Sequence, residues 1–395
     1  MLVRPCSKRL FNHEEHPEFF GVDCIHEGIE KNRINYIVYF VFFFGRRVWD
    51  LGFGSMVEKI NKILLIKLGS IGDVVNTLPL VNALKSGMPE VELGWLIEPK
   101  SYPIVEGHRS VDRFIIHRRS RGIRGAGDAL KEIRDFKPDL VIDLQRILRS
   151  SFFTLFSGCR RRLGFDRIRC KEYSWLCTNE KISPGDPKVH MVHQYLEFAG
   201  YLGLADPEIS FSIPVSDRDQ EEAGKLLPRE KIGKGFVALN IGAAKPSNRW
   251  PTEQWAELAA LILDRTSLAV VLTGGSVDAG RGRLINNLFG NEERLLDCTG
   301  RTSLKQLGGL FLSADTVVTG DTGPMHIASA LGVRTIGLFG PADPGRTGPF
   351  NHLNLVVRSG VPCAPCGRRT CPDLKCMEAI SAETVYNKLD PSALI

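Results

Sequence analysis

The residues able to do chemistry gather where apolar runs of strand length give way to glycine-containing turns. Lys62-Ile-Leu-Leu-Ile-Lys67 leads into Leu68-Gly-Ser-Ile-Gly-Asp73, which sets a carboxylate between a strand and a helix. A carboxylate at that place suits a general base that takes the proton of an attacking hydroxyl, and it suits a helix N-cap equally well. A second turn, Thr319-Gly-Asp-Thr-Gly-Pro-Met-His-Ile-Ala328, starts a helix with Pro324 near its first turn. The free N–H groups and dipole of such a start make an anion site, although an ordinary Asp/Thr cap with Pro at the first position reads the same way. There Asp321 would repel a phosphate, so it fits better as a cap or as an acceptor for a ribose hydroxyl. A third turn, Gly242-Ala-Ala-Lys-Pro-Ser-Asn-Arg-Trp-Pro251, offers Lys245 and Arg249 to a diphosphate. The Gly274-Gly-Ser-Val-Asp278 turn carries little beyond its shape.

Two further clusters stand apart from these turns. Arg118, Arg119, Arg121 and Arg124 form one basic stretch; Arg160 to Arg162 with Arg167, Arg169 and Lys171 form another. Aromatic residues are sparsely interleaved with them, which disfavours nucleic acid. Cys363, Cys366, Cys371 and Cys376 fall within 14 residues. They suit either a small structural zinc site or free, redox-labile thiols, because the spacing departs from paired C-x2-C.

The elements that must position these residues alternate. Strands are expected at 62–67, 91–97, 113–117 and 140–143, with helices at 74–84 and 130–136. After a Pro/Gly-rich connection at 183–216 that holds one helix near 193–202, the alternation resumes. Strands are expected at 236–240, 269–273, 316–319 and 335–339, with helices at 252–264, 304–312 and 325–331. Strand–turn–helix units in series define an α/β protein with two parallel-sheet domains and a cleft at the carboxyl ends of the strands. The boundaries read as an extension at 1–55, a first domain at 56–215, a second at 216–376 that includes the cysteine cluster, and a C-terminal helix at 377–395.

A chain of 395 residues with 43% hydrophobic and 24% charged content suits two ordinary cores and excludes wholesale disorder. Lys and Arg number 24 against 19 Asp and Glu over 56–215, whereas 216–395 is nearly balanced, so an acidic partner is expected at the first domain. Ten cysteines without a secretory signal point to a reducing, cytoplasmic compartment. The apolar run at 36–44 is too short to span a bilayer, which takes about 20 residues. With Arg46, Arg47 and Trp49 beside it, the run suits a membrane surface; alternatively 1–55 is an extension foreign to the natural protein, with Met56 as the start.

Taken together, Lys67-Leu-Gly-Ser-Ile-Gly-Asp-Val-Val-Asn-Thr-Leu-Pro79, Asp143-Leu-Gln145, Arg249-Trp-Pro251, Thr273-Gly-Gly275, Gly320-Asp-Thr-Gly-Pro-Met-His-Ile-Ala328 and Leu338-Phe-Gly-Pro341 resemble glycosyltransferase family 9, the ADP-heptose:lipopolysaccharide heptosyltransferases. The likeness runs from about residue 62 to 388. It implies two Rossmann-like lobes facing a central cleft (the GT-B type), inversion at the anomeric carbon, and no cofactor for catalysis. By resemblance Asp73 matches the catalytic base, and Asp321, Thr322 and Gly323, with Pro324, Met325 and His326 beyond, match the donor-nucleotide site. The segment of Lys245 and Arg249 matches the diphosphate loop, where Asn248 replaces the lysine of many members. Asp143 and Gln145, with Arg118, Arg119, Arg121 and Arg124, match the acceptor side, where anionic core sugars and lipid phosphates would lie. The partners implied are an ADP-sugar, a lipopolysaccharide or lipid-linked acceptor and the inner face of the inner membrane. The rival readings are transfer of another activated sugar, a nucleotide-sugar epimerase, and a saccharide-binding relative without activity; Asp73 speaks against the last.

Overall fold

The computed structural model describes residues 59–390, which fall in one compact unit. The extension at 1–55 and its apolar run lie outside the described residues. No helix among the described residues is long and apolar enough to cross a membrane.

Among the described residues, twelve strands form two six-stranded sheets. The first contains β1 (Lys62–Ile66), β2 (Glu92–Ile97), β3 (Arg113–Ile116), β4 (Leu140–Asp143), β5 (Arg161–Gly164) and β6 (Glu180–Lys181). The second contains β7 (Phe236–Asn240), β8 (Ala269–Thr273), β9 (Leu295–Asp297), β10 (Thr316–Gly320), β11 (Thr335–Phe339) and β12 (Val357–Arg358). Their orders are β3-β2-β1-β4-β5-β6 and β12-β11-β10-β7-β8-β9, with every pairing parallel. Read in chain order within each lobe, both are the 3-2-1-4-5-6 order of the Rossmann fold, so the α/β two-lobed expectation holds. Central strands such as Phe-Val-Ala-Leu-Asn and Ala-Val-Val-Leu-Thr are buried throughout, as strands covered on both faces must be.

The main helices are α1 (Ile71–Gly87), α2 (Gly122–Phe136), α3 (Leu148–Phe156), α4 (Met191–Tyr201), α5 (Asp217–Gly224), α6 (Thr252–Arg265), α7 (Ala279–Leu288), α8 (Leu304–Leu312), α9 (Gly323–Ala330) and α10 (Ala382–Leu389). On one face of the first sheet, α2 and α3 bury Ala129, Ile133, Phe136 and Phe153. On the other, α1 and α4 bury Val74, Leu78, Val81, Tyr195 and Phe198 in a cluster that continues through Leu307, Leu310, Ile327 and Ala328 of the second lobe. The two lobes therefore share one apolar core. Polar latches add to it. His190 Nε2 donates to Gly348 O at 3.1 Å while its Nδ1 accepts from Val192 N at 3.2 Å, and Lys305 Nζ donates to Glu106 O at 3.0 Å. Burial pushes the His190 pKa down to about 4, so the ring is neutral and its tautomer is fixed by these two bonds.

Candidate active site

Each sheet has one switch point, where neighbouring strands lead into helices on opposite faces. In the first lobe it lies between β1 and β4, and in the second between β7 and β10. These are the strands whose turns carry Asp73, Gln145, Lys245 and Asp321. Two glycines let the turns meet. A Cβ on Gly72 would stand 2.3 Å from His326 Cδ2, and one on Gly323 would stand 2.8 Å from Ile71 Cβ. Such distances exclude a side chain at either place, so the starts of α1 and α9 touch across the cleft.

On the first-lobe side, Lys67 closes β1 with its side chain 2% exposed. Its Nζ lies 3.5 Å from Asp73 Oδ2 and 3.5 Å from Leu144 O, and 5.2 Å from the centre of the Tyr195 ring. Ser70 Oγ donates to Asp73 Oδ2 at 3.3 Å. The Asp73 carboxylate accepts no backbone N–H, so it is not a helix cap; 36% of the side chain faces the cleft. Burial alone would pull Lys67 down, yet Asp73 and Tyr195 beside it hold its pKa above the ordinary lysine value. Burial likewise acts to raise Asp73, but the charges of Lys67, Arg146 and, more weakly, His326 hold it below the usual carboxylate range.

Arg146 follows β4 in the left-handed region, with φ of 65°. Its guanidinium lies 4.8 Å from the centre of the Phe165 ring and within 3.5 Å of Gln194 Oε1. Gln145 Oε1 accepts from Leu68 N at 3.2 Å, which ties the β4 turn to the β1 turn. Asp143 has a different part from the one the resemblance gives it. The residue is 3% exposed, and its carboxylate accepts from Gln145 N at 2.9 Å and Thr154 Oγ1 at 3.0 Å, while burial holds its pKa up. It braces the loop and does not face the cleft. Arg118, Arg119, Arg121 and Arg124 are exposed beyond β3, two strands from β1, or about 10 Å along the sheet.

On the second-lobe side, Asn248 is the organising residue. It is 3% exposed, and its Nδ2 donates to Asp321 O at 2.9 Å and to Asp321 Oδ2 at 3.0 Å. Lys245 Nζ stands 3.8 Å from the same carboxylate oxygen. Thr322 Oγ1 bonds Thr319 Oγ1 at 3.0 Å, and Asn240 Nδ2 donates to Thr319 Oγ1 at 3.0 Å. The loop at 242–251 is braced from behind by Arg281, which donates to Ile241 O, Trp250 O and Thr252 Oγ1 at 2.7–3.0 Å. Arg249 points to solvent, with Nε 3.3 Å from Ala243 O. Thr322, Gly323 and Pro324 are half-buried at the helix start, whereas Met325 is fully buried, so the Met325 side chain serves the core. His326 is 8% exposed, and burial lowers its pKa despite Asp321 and Asp73 nearby.

Sequence reasoning did not assign Lys67, Arg146, Asn240, Thr319 or Arg281 a part. One signal was available for Lys67, a charge closing an otherwise apolar strand. Arg146 gave none, because its partners stand 19 or more residues further along the chain. The four cysteines of the cluster are not joined by disulfides. Cys363 and Cys366 are exposed, Cys371 is partly so and Cys376 is buried beside Met377, all as free thiols. Among the described residues no group of three or more His, Cys, Asp or Glu is placed to hold an ion. A cavity of about 1130 Å³, lined by Asn82, His108, Arg109, Glu208 and Lys305 among others, lies at the C-terminal end of α1. That is the opposite end of the helix from Asp73, so the cavity is not the reaction centre.

Two Rossmann-type sheets with apposed switch points, one carrying the Asp73 carboxylate and the other the start of α9, make a two-lobed architecture of the kind nucleotide-sugar transferases use. Residues 128–377 match the model of glycosyltransferase family 9 (heptosyltransferase), and the chain belongs to this family. It is 31% identical to lipopolysaccharide heptosyltransferase 1 of Pseudomonas aeruginosa over 321 residues, covering 78% of this chain and 87% of that one. With the lipopolysaccharide core heptosyltransferase OpsX of Haemophilus influenzae it shares 24% identity over 76% of this chain and 85% of that one. The solved structure of Escherichia coli ADP-heptose lps heptosyltransferase II superposes with a TM-score of 0.69 at 23% identity, over 84% of this chain and 98% of the other.

Proposed function

We propose that the protein transfers a heptose from ADP-heptose to the growing core of lipopolysaccharide, with inversion at the anomeric carbon. Family membership and the named activities of the relatives support the substrate pair. The observation that carries the mechanism is the ionised, half-open Asp73 carboxylate over buried Lys67, on a helix start that touches the donor-side helix start.

The acceptor hydroxyl gives its proton to Asp73 Oδ as its oxygen attacks the anomeric carbon. The bond from that carbon to the diphosphate oxygen breaks on the opposite face, and its electron pair leaves with ADP. Charge grows on the leaving diphosphate, where the N–H groups at the start of α9 and the cations Lys245 and Arg249 stabilise it. Asp321, oriented by Asn248, accepts from the nucleoside. Lys67 keeps Asp73 ionised before the acceptor arrives, and Arg146 with the arginines beyond β3 attracts an anionic acceptor. No metal takes part in any step. A lipid-linked acceptor makes the protein peripheral on the cytoplasmic face of the membrane that holds the acceptor.

The test is to incubate the purified protein with several nucleotide sugars and a heptose-deficient lipopolysaccharide, then weigh the products. A mass gain of one heptose with ADP-heptose alone is expected. Gain only with another nucleotide sugar would overturn the donor assignment, and release of a free altered sugar would mark an epimerase.

A further inference from the structure

We propose that the rim of the first lobe beside the catalytic turn is a docking surface for an anionic phospholipid bilayer. This inference rests on the lipid-linked acceptor proposed above. Three segments at the carboxyl ends of β3, β4 and β5 make the rim: the turn at 117–124, the first half of α3, and the loop at 166–176. They form one surface. His117 packs on Phe153 with ring centres 4.8 Å apart, Leu148 N donates to Glu172 Oε2 at 3.1 Å, and Ser151 Oγ donates to Ser174 O at 3.4 Å. Lys171 N donates to Arg146 O at 3.0 Å, which joins the loop to the residue that faces Asp73.

The rim holds apolar side chains that the core does not use. Ile123 is 92% exposed, Ile168 76% and Tyr173 70%, with Phe152 and Leu176 near 40%. An isolated exposed apolar residue is ordinary, but five on three packed segments form a patch. Exposed cations run between them, namely Arg118, Arg119, Arg124, Arg167 and Lys171. Arg167 lies over the Trp175 ring at 5.0 Å, with the aromatic and the cation presented together. Apolar tips among lysine and arginine, with an indole and a phenol at the same level, match the boundary between anionic headgroups and acyl chains. A protein partner would be met by a closed apolar centre with a polar rim, and this interleaving lacks that form.

The experiment uses the full chain and two vesicle types, phosphatidylglycerol with phosphatidylethanolamine, and phosphatidylcholine alone, read by co-sedimentation. The wild type is expected on the anionic vesicles and not on the neutral ones, with binding weakened by high salt. The triple variant Ile123→Ser, Ile168→Ser, Tyr173→Ser and the double variant Arg167→Glu, Lys171→Glu should each lower the bound fraction about 10-fold. Turnover of the triple variant on a deacylated, water-soluble acceptor should stay within about twofold of wild type, while turnover on vesicle-embedded acceptor falls. Residues 1–58 are kept in every variant, so any contribution of theirs cancels. Unchanged vesicle binding in both variants overturns the proposal. So does a fall in sedimentation mass in the triple variant, which would make the patch an interface between copies of the chain. Vesicle binding that depends on the patch, without heptose transfer to any acceptor, would leave the docking surface standing and remove the acceptor reading instead.

Discussion

The two lobes repeat one design, a buried strand, a short turn and a helix, with a carboxylate at the head of each helix, and they treat that carboxylate differently. In the first lobe Asp73 stands over the buried ammonium of Lys67, with Arg146 close by. In the second, Asp321 is gripped by the neutral amide of Asn248, with Lys245 at 3.8 Å on the exposed side. A buried cation sets a charge state; an amide sets an orientation. The first suits a group that must be ionised when a hydroxyl arrives, and the second suits a group that must present fixed acceptors to a bound nucleoside. In the proposed mechanism the same backbone unit thus yields a base in one lobe and a binding residue in the other, and the difference lies in the partner.

The largest expected effect breaks the first lobe's carboxylate. Asp73→Ala should lower kcat by about 10²–10⁴-fold, the range for loss of a general base, with little change in the calorimetric affinity for ADP. The corresponding change in the second lobe, Asp321→Ala, should show the reverse pattern, with affinity falling more than kcat. Near-normal turnover of the Asp73 variant would erase the asymmetry between the lobes.

A smaller effect separates charge state from position. Because Asp73 is held below the usual carboxylate range, it stays ionised as pH falls, and the acid limb of kcat/KM is expected below the pH at which an ordinary aspartate titrates. In Lys67→Met burial remains while the opposing charge is gone, so the limb should move to higher pH. Lys67→Arg keeps the charge and should return most of the shift. A limb that stays in place in Lys67→Met would mean that Asp73 owes its ionisation to Arg146 and solvent.

Much of this arrangement was legible from the chain alone. Strands such as β1, β7, β8 and β10 are largely apolar runs, and the turns after β1, β7 and β10 fall at the switch points, so Asp73 and Asp321 were visible as cleft residues. Four strands were not. β5 opens with Arg161-Arg162, which reads as a basic loop. In the fold Arg161 Nε pairs with Glu180 Oε1 at 2.8 Å, and Arg162 donates to Cys177 O and Cys159 O at 3.1 and 2.9 Å. β6, β9 and β12 have two or three residues, too few for a period to show. The helix α7 was missed because Gly280 and Gly282 weaken its local preference. At the site, Arg146 depends on Phe165 and Gln194, which only the fold brings near. Asp143 was placed on the acceptor side by the family resemblance, and nothing local showed that Thr154 reaches back to it. The cysteine spacing left zinc and free thiols both open, because spacing does not fix the direction of a side chain; of the four, Cys376 is buried and Cys363 and Cys366 are exposed.

The smallest expected effect concerns the partner in the second lobe. Asn248 stands where many family members have lysine, which would suggest that restoring the lysine tightens the grip on a diphosphate. The geometry argues otherwise. At 3% exposure, with both Nδ2 bonds aimed at Asp321, the position directs whatever it holds at that carboxylate. A lysine ammonium there would pair with Asp321 and displace Lys245, so Asn248→Lys should leave ADP affinity within about threefold of wild type, because one cation replaces another. Asn248→Ala removes both bonds and leaves Asp321 steered by Lys245 alone. Hydrogen bonds to a charged group are worth about 1.5–3 kcal/mol, and water from the cleft replaces part of that, so a net loss of about 1–2 kcal/mol, or roughly 5–30-fold in affinity, is expected. Titration calorimetry with ADP and with adenosine distinguishes the cases. Equal losses for the two ligands place Asp321 on the nucleoside, as proposed. A loss confined to ADP would move Asn248 and Asp321 to the diphosphate, and the contrast between a charge-setting lobe and an orienting lobe would then need to be redrawn around Lys245.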